Sequence, residues 1–356
     1  MKVLIIVPRF GTIHRGLETY VKELISNIDT KQFNITILSN EHNEKFENIK
    51  FKKYRLHNRE KFDWIFRCKV FRKLLSYFNV YGSADFESLS LMHKSKNFLI
   101  KNSFDIIIPF GGYWSFFILN KLIDRKKTKI ISVGQASVVK NEILQSDYFV
   151  ALTPFAYEEA SKIMDKKKIA LIPNGVNMQK FYPTNTPAQN TILCVAAFSS
   201  DKNHISLLNA LEKIPTNVKL ILVGKGPLES SLKKHPVNQT HNIIFKSARL
   251  EDMPSIYREA SVFTLASAEE AFGIVFLEAL ATGLNVVAYN APRQKFVVGK
   301  SGFFCDVFNT TEYAKSLQEA LITQQKDSNL MQAQKFSWKN IAVEYEKFFA
   351  KVIHEK

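Results

Sequence analysis

Cysteine is scarce in this chain of 356 residues: Cys68, Cys194 and Cys305 are odd in number, far apart and never in a Cys-x-x-Cys pair. That usage excludes a disulfide framework and a structural zinc knuckle, and it fits a reducing compartment. The eight histidines form no ligand-spaced cluster, so no metal site is expected. No run of about 18 apolar residues occurs, which leaves no candidate membrane-spanning helix. Met1 leads directly into a strand-like stretch, Lys2 to Pro8, too short and too soon followed by polar residues for a secretory leader. A cytoplasmic protein is expected. Acidic residues are the other shortage: 33 Asp and Glu face 49 Lys and Arg, a net +16. The excess is lopsided. Residues 1–185 hold 30 basic and 17 acidic groups (+13), and 186–356 hold 19 and 16 (+3), so an acidic partner would meet the N-terminal half.

What is present is a regular alternation. Short apolar strands are expected at 3–7, 34–38, 106–109, 129–133 and 148–152, with helices including 17–28 and 113–122. The second half repeats the theme with strands at 191–196, 219–223, 242–245, 261–265 and 285–289. Continuous apolar runs alternating with helices predict parallel sheets covered on both faces, hence two doubly wound α/β domains. Length alone favours two domains over one. A polar, proline-marked stretch at 181–190 follows a border near residue 175. The expected division is 1–175, 176–335 and a terminal helix at 336–356 with Tyr345, Phe348, Phe349 and Val352 on its apolar stripe. Ligands of open α/β sheets bind beyond the carboxyl ends of the strands, which places the expected active site in an interdomain cleft.

One segment carries most of the chemistry. Glu270 precedes Phe272 and Gly273; an apolar helix follows, with Glu278 inside it and Ala279 to Gly283 after. Two glutamates near a helix start ordinarily cap its first turn. Here the run from Ile274 to Ala281 is almost wholly apolar, so Glu278 would be a costly buried charge without polar partners, and a bound ligand could supply them. The amides opening that helix offer a site for a diphosphate. Glu278, about 7 Å along the helix, could accept hydrogen bonds from two adjacent hydroxyls.

This segment resembles the donor-site signature of family 4 glycosyltransferases, two-domain GT-B enzymes that retain anomeric configuration. The resemblance implies that Glu270 contacts the transferred sugar and Glu278 the nucleotide ribose. It also implies that the amides of Phe272, Gly273, Ile274 and Val275 receive the diphosphate. Further matches run along the chain. The loop ending in Gly16, with Glu18 two residues later, is similar to the family's glycine-rich loop, with Arg15 in place of its first glycine. Pro173-Asn174-Gly175-Val176-Asn177 resembles the border motif, and Trp338 the tail that crosses back to the first domain. Lys202 falls where the family lysine stabilises the departing diphosphate. Ala197 stands where an arginine is common, so Lys202 acts alone or with Arg15 or Lys225. Gln135 stands nearest a family histidine, as a possible contact for the transferred sugar. Glutamine cannot accept a proton near neutral pH; the front-face mechanism implied by the family needs no such base.

The implied function is transfer of a sugar from a nucleoside diphosphate to an acceptor hydroxyl, on a glycan or lipid-linked acceptor, in envelope or surface polysaccharide assembly. Glu270 and Lys202 are the catalytic candidates, and the nucleotide-sugar is substrate, with no cofactor or metal. Alternatives are an inactive glycosyltransferase-like binding subunit, favoured by Ala197 and Gln135, or a GT-B phosphorylase or epimerase. Between Lys52 and Lys73, nine basic residues face Glu60 and Asp63, interleaved with aromatics. Lys52, Lys53, Arg55, Trp64, Arg67, Lys69, Arg72 and Lys73 fit either an amphipathic helix with a solvated basic face or one lying on an anionic membrane, on the inner face of the plasma membrane. Nucleic acid is the least favoured partner.

Overall fold

The structure, a computed structural model, describes residues 1–11, 16–40, 46–55, 63–134, 138–184 and 189–355, with only the backbone of Arg67. The expected sites at Arg15 and Gln135 lie outside the described residues. The chain divides into two compact units, Met1–Pro173 with Ile341–Lys356, and Asn174–Asn340.

In the first unit the strands are β1 (Lys2–Ile6), β2 (Asn34–Ser39), β3 (Lys50–Lys53), β4 (Ile106–Pro109), β5 (Lys129–Val133), β6 (Tyr148–Ala151) and β7 (Ile169–Leu171). The helices between them are α1 (Gly16–Asn27), α2 (Asp63–Arg67), α3 (Lys69–Ser76), α4 (Ser83–Lys101), α5 (Gly112–Leu122), α6 (Lys140–Ile143) and α7 (Pro154–Ser161). All pairings are parallel, in the order β3-β2-β1-β4-β5-β6-β7. Strand β1 buries Val3 to Ile6 on both faces, which is why it reads as an unbroken apolar run. Two strands of this unit escape the sequence pattern, as β13 (Phe303–Cys305) does in the second. Lys50–Lys53 holds three lysines and one phenylalanine at the sheet edge, and Ile169–Leu171 is only three residues long. Edge strands tolerate charge because one side faces solvent. The single amphipathic helix expected around 52–81 is thereby corrected: Lys52 and Lys53 lie on β3, Arg55 follows it, and two short helices carry the rest.

The second unit contains β8 (Thr191–Val195), α8 (His204–Leu211), β9 (Lys219–Val223), α9 (Glu229–Lys233), β10 (Asn242–Lys246), α10 (Met253–Tyr257), β11 (Val262–Leu265), α11 (Ile274–Ala281), β12 (Asn285–Tyr289), α12 (Pro292–Val298), β13 (Phe303–Cys305), α13 (Thr310–Ile322) and α14 (Lys326–Lys335). Its parallel sheet runs β10-β9-β8-β11-β12-β13. The chain winds outward from β8 through β9 and β10, then returns to the other side of β8 for β11. The crevice between β8 and β11 is thus the topological switch point, where open α/β sheets bind ligands. Their ladder is registered only over Ile192–Leu193 against Val262–Phe263.

The last helix, α15 (Trp338–His354), begins in the second unit, where Gly175 leaves room for the Trp338 ring; a Cβ there would lie 2.6 Å from it. From Ile341 onward it packs in the first unit. Tyr345, Phe348, Phe349 and Val352 are buried, Phe349 meets Phe33 edge-on at 5.8 Å, and Glu346 accepts from the Asp29 amide at 2.7 Å.

Candidate active site

The loops leaving β8 and β11 deliver the two residues singled out as catalytic to one point. Lys202 Nζ donates to Glu270 Oε1 at 2.7 Å, and Ser267 Oγ donates to the same oxygen at 2.6 Å. Burial lowers the Lys202 ammonium's pKa, but the hydrogen bond and charge of Glu270, with Asp201 at 3.4 Å, outweigh it and hold the pKa above its ordinary value. Lys202 is therefore a fixed cation at neutral pH. The loop around Glu270 is pinned from beneath: the buried Gln294 donates to the carbonyls of Ser267 and Ala268 at 3.4 and 3.2 Å, and Arg293 Nη1 donates to the Glu270 carbonyl at 3.4 Å. The loop from β8 is held against the turn after β9. A Cβ on Gly224 would sit 1.9 Å from the Ala196 carbonyl oxygen, so only glycine lets the two loops approach.

Beyond Glu270 the chain turns into α11 through Gly273, whose φ of +82° suits glycine alone; a Cβ would also strike the Phe276 ring at 2.6 Å. That turn leaves Phe276 bonded to the Gly273 carbonyl at 3.0 Å, while the amides of Ile274 and Val275 find no acceptor among the described residues. Phe272 is different from its neighbours. Its ring is buried edge-on against Phe336 at 6.2 Å, so its side chain is core and only its backbone is available to a ligand.

Glu278, one turn along α11, accepts from the Tyr257 hydroxyl at 2.7 Å. Desolvation pushes its carboxyl up to about 7, and the Tyr257 hydrogen bond offsets only part of that. The protein itself thus supplies one polar partner of this carboxylate, alongside the ligand that the sequence suggested as a supplier. Tyr257 itself is buried between Phe181 at 5.5 Å and Phe263 at 5.8 Å. It escaped the sequence reading because α10 carries no motif and its partner lies 21 residues away. Arg293 had a legible signal: Pro292 opens a helix at the carboxyl end of β12, where first-turn side chains reach the crevice rim. Beneath the site, burial and the neighbouring Glu270 charge push the Cys194 thiol to about 12, so it stays protonated. His204, buried edge-on to Phe198 at 5.2 Å, is pushed down to about 4 by desolvation and is neutral.

Gly16 opens α1 at the carboxyl end of β1, in the first unit, and nothing lies within 4 Å of where a Cβ would stand. Lys225 is exposed in the turn after β9. A cavity of about 430 Å³ lined by Asn190, Ser261 and Asn285 lies at the amino ends of β8, β11 and β12, on the opposite edge of the sheet from Glu270. Among the described residues no group of acidic, histidine or cysteine side chains is arranged to hold a metal.

A carboxylate and a cation at the switch point, an open helix N-terminus beside them and a second carboxylate one turn on match a known pattern in sequence as well. The model of the glycosyl transferases group 1 family matches residues 179–335, the segment that carries all of them. Residues 179–335 are thus the part of the chain that carries the group 1, family 4 glycosyltransferase signature. An uncharacterized glycosyltransferase of Methanocaldococcus jannaschii is 24% identical across 98% of both chains. The alpha-monoglucosyldiacylglycerol synthase of Streptococcus pneumoniae is 26% identical over 45% of this chain and 41% of its own. Among solved structures, the Anabaena protein HepE in complex with UDP and glucose superposes with a TM-score of 0.70 at 14% identity, over 99% of this chain and all of that one. The solved structures this chain superposes on show the GT-B fold, and the chain is a retaining, hexosyltransferase-type glycosyltransferase.

Proposed function

We propose that this glycosyltransferase moves a hexose from a nucleoside diphosphate to an acceptor hydroxyl on a glycan or lipid-linked acceptor, in the assembly of envelope or surface glycans. The observation that carries the reading is the convergence of Lys202, Glu270 and the free amides of Ile274 and Val275 at one switch point. In this reading the second unit holds the donor and the first receives the acceptor. The amides and Lys202 take the diphosphate, Glu278 the ribose hydroxyls, and Glu270 the sugar hydroxyls. As the bond from the anomeric carbon to the phosphate oxygen breaks, negative charge grows on the leaving diphosphate, and a fixed ammonium beside it stabilises that charge. The acceptor oxygen bonds to the anomeric carbon on the same face, and its proton passes to the departing phosphate oxygen. No protein base is required, which agrees with a glutamine, Gln135, where the family commonly has histidine. UDP as the donor nucleotide is supported by the complexed neighbour, and a lipid-linked acceptor by the diacylglycerol-modifying relative. A cytoplasmic location is supported by three unpaired cysteines and by the finding that no described helix is long and apolar enough to cross a membrane.

The test is donor hydrolysis and transfer across a panel of UDP-, GDP- and ADP-sugars, with Glu270→Ala beside the wild type. Turnover with at least one donor, lost in the variant, supports the proposal; a Glu270→Ala protein that turns over donor as fast as wild type removes it.

A further inference from the structure

The segment from Trp64 to Tyr81 carries a group of exposed apolar residues that donor chemistry leaves unexplained. Helix α3 buries no residue at all. Its apolar arc is open to solvent, with Val70 75%, Phe71 51% and Leu74 54% exposed, and the turn beyond it continues the arc with Tyr77 at 75% and Phe78 at 61%. At 100° per residue these side chains share one face, and Lys69, Arg72 and Lys73 share the opposite one. No ion pair among the described residues engages those three cations. Exposed apolar patches of this kind mark an interaction surface, and the mixture of aromatics with unpaired cations is complementary to a surface that is apolar within and anionic at its rim. A second copy of the chain, itself at +16, would meet the patch with like charge.

Where the patch sits adds a second argument. Asp63 and Ser83 are bonded at 2.5 Å, and Phe66 lies 5.8 Å from Phe86, so α2 is fixed to the first turns of α4. Those turns lie at the carboxyl end of the first unit's sheet. Arg9 Nε, just beyond β1, donates to both carboxylate oxygens of Glu87 at 2.8 and 2.9 Å, and Asp85 stands 3.5 Å from the Cβ position of Gly112, just beyond β4. The patch therefore borders the strand ends where such a sheet takes its ligand, not the opposite edge.

We propose that α3, with Trp64, Tyr77 and Phe78, docks the first unit onto an anionic membrane surface, so that the acceptor reaching the strand ends of this unit is lipid-borne. The proposal rests on the reading that the first unit receives the acceptor. The apolar arc enters the headgroup boundary and the cations remain at the level of the phosphates.

Vesicles of phosphatidylcholine with and without phosphatidylglycerol test it on the full chain. The wild type should co-sediment with the anionic vesicles at low salt and detach at high salt, with a blue shift of Trp64 emission that Trp64→Phe removes. Arg72→Glu with Lys73→Glu should lower partitioning by at least about tenfold, and Phe71→Ser with Leu74→Ser should lower it comparably. All four proteins should hydrolyse donor in solution at the wild-type rate. Indifference of the wild type to anionic vesicles overturns the proposal, as does undiminished binding by both double variants. So does a dimer that Phe71→Ser with Leu74→Ser dissolves while vesicles are ignored. Donor hydrolysis without vesicle binding would sink the docking alone, and vesicle binding without any donor turnover would sink the proposed function alone.

Discussion

Glu278 is the residue whose titration the structure changes most usefully. Its folded pKa of about 7 lies above the ordinary 4.5, so between those values the folded chain keeps a proton that the unfolded chain has lost. Stability of the ligand-free protein therefore falls as pH rises through that window. Glu278→Gln should abolish the fall, and its gain in Tm over wild type should be larger at about pH 8 than at about pH 5, by a few degrees. Calorimetry at the two pH values decides; an equal gain at both would show that Glu278 is not the titrating group. Binding carries the opposite consequence. Ribose hydroxyls require the carboxylate as acceptor, so donor binding near neutral pH should release a proton, measurable as a buffer-dependent enthalpy. Tyr257→Phe removes the bond that lowers this pKa and should move the pH midpoint of donor affinity upward; an unchanged midpoint would contradict the role given to Tyr257. Both glutamates were legible from their spacing and apolar surroundings. Tyr257 was not, because its approach to Glu278 is a product of how α10 and α11 pack.

At the scale of elements, α11 depends on how it starts. Gly273→Ala would force a left-handed backbone on a residue with a side chain and drive its Cβ into Phe276, a cost of about 1–2 kcal/mol from the backbone alone. Donor affinity should fall together with Tm, because the same turn orients the amides of Ile274 and Val275. Normal affinity in a destabilised Gly273→Ala protein would mean that those amides do not hold the donor. At the other end of the chain, Phe349 is buried against Phe33 and Tyr345 in the first unit. Phe349→Ala should cost about 3–5 kcal/mol by denaturant titration; a loss below about 1 kcal/mol would show α15 to be a loosely held appendage. The central strands and the stripe of α15 were legible because burial writes itself as unbroken apolar runs in strands covered on both faces and as a stripe of period 3.6 on a helix. The lysine-rich β3 was not: an edge strand needs no apolar pattern, and its charges drew Lys52 and Lys53 into a helix that the fold does not make.

Across the whole molecule there are two parallel sheets, and the order of strands explains why the signature residues are where they are. Lys202 and Glu270 are 68 positions apart in sequence, yet β8 and β11 are neighbours only because the chain reverses its winding between them. Alternation of strands and helices announced the class of fold; the identity of the switch point needed the strand order. The account's central claim is that this point holds a nucleotide-sugar for retaining transfer, with Glu270 on the sugar. Time-resolved NMR of the sugar first released from an α-linked donor tests it most directly. The account predicts that the α-anomer appears first and that Glu270→Gln slows its appearance by about a hundredfold or more. First appearance of the β-anomer, or an undiminished rate in Glu270→Gln, would contradict it.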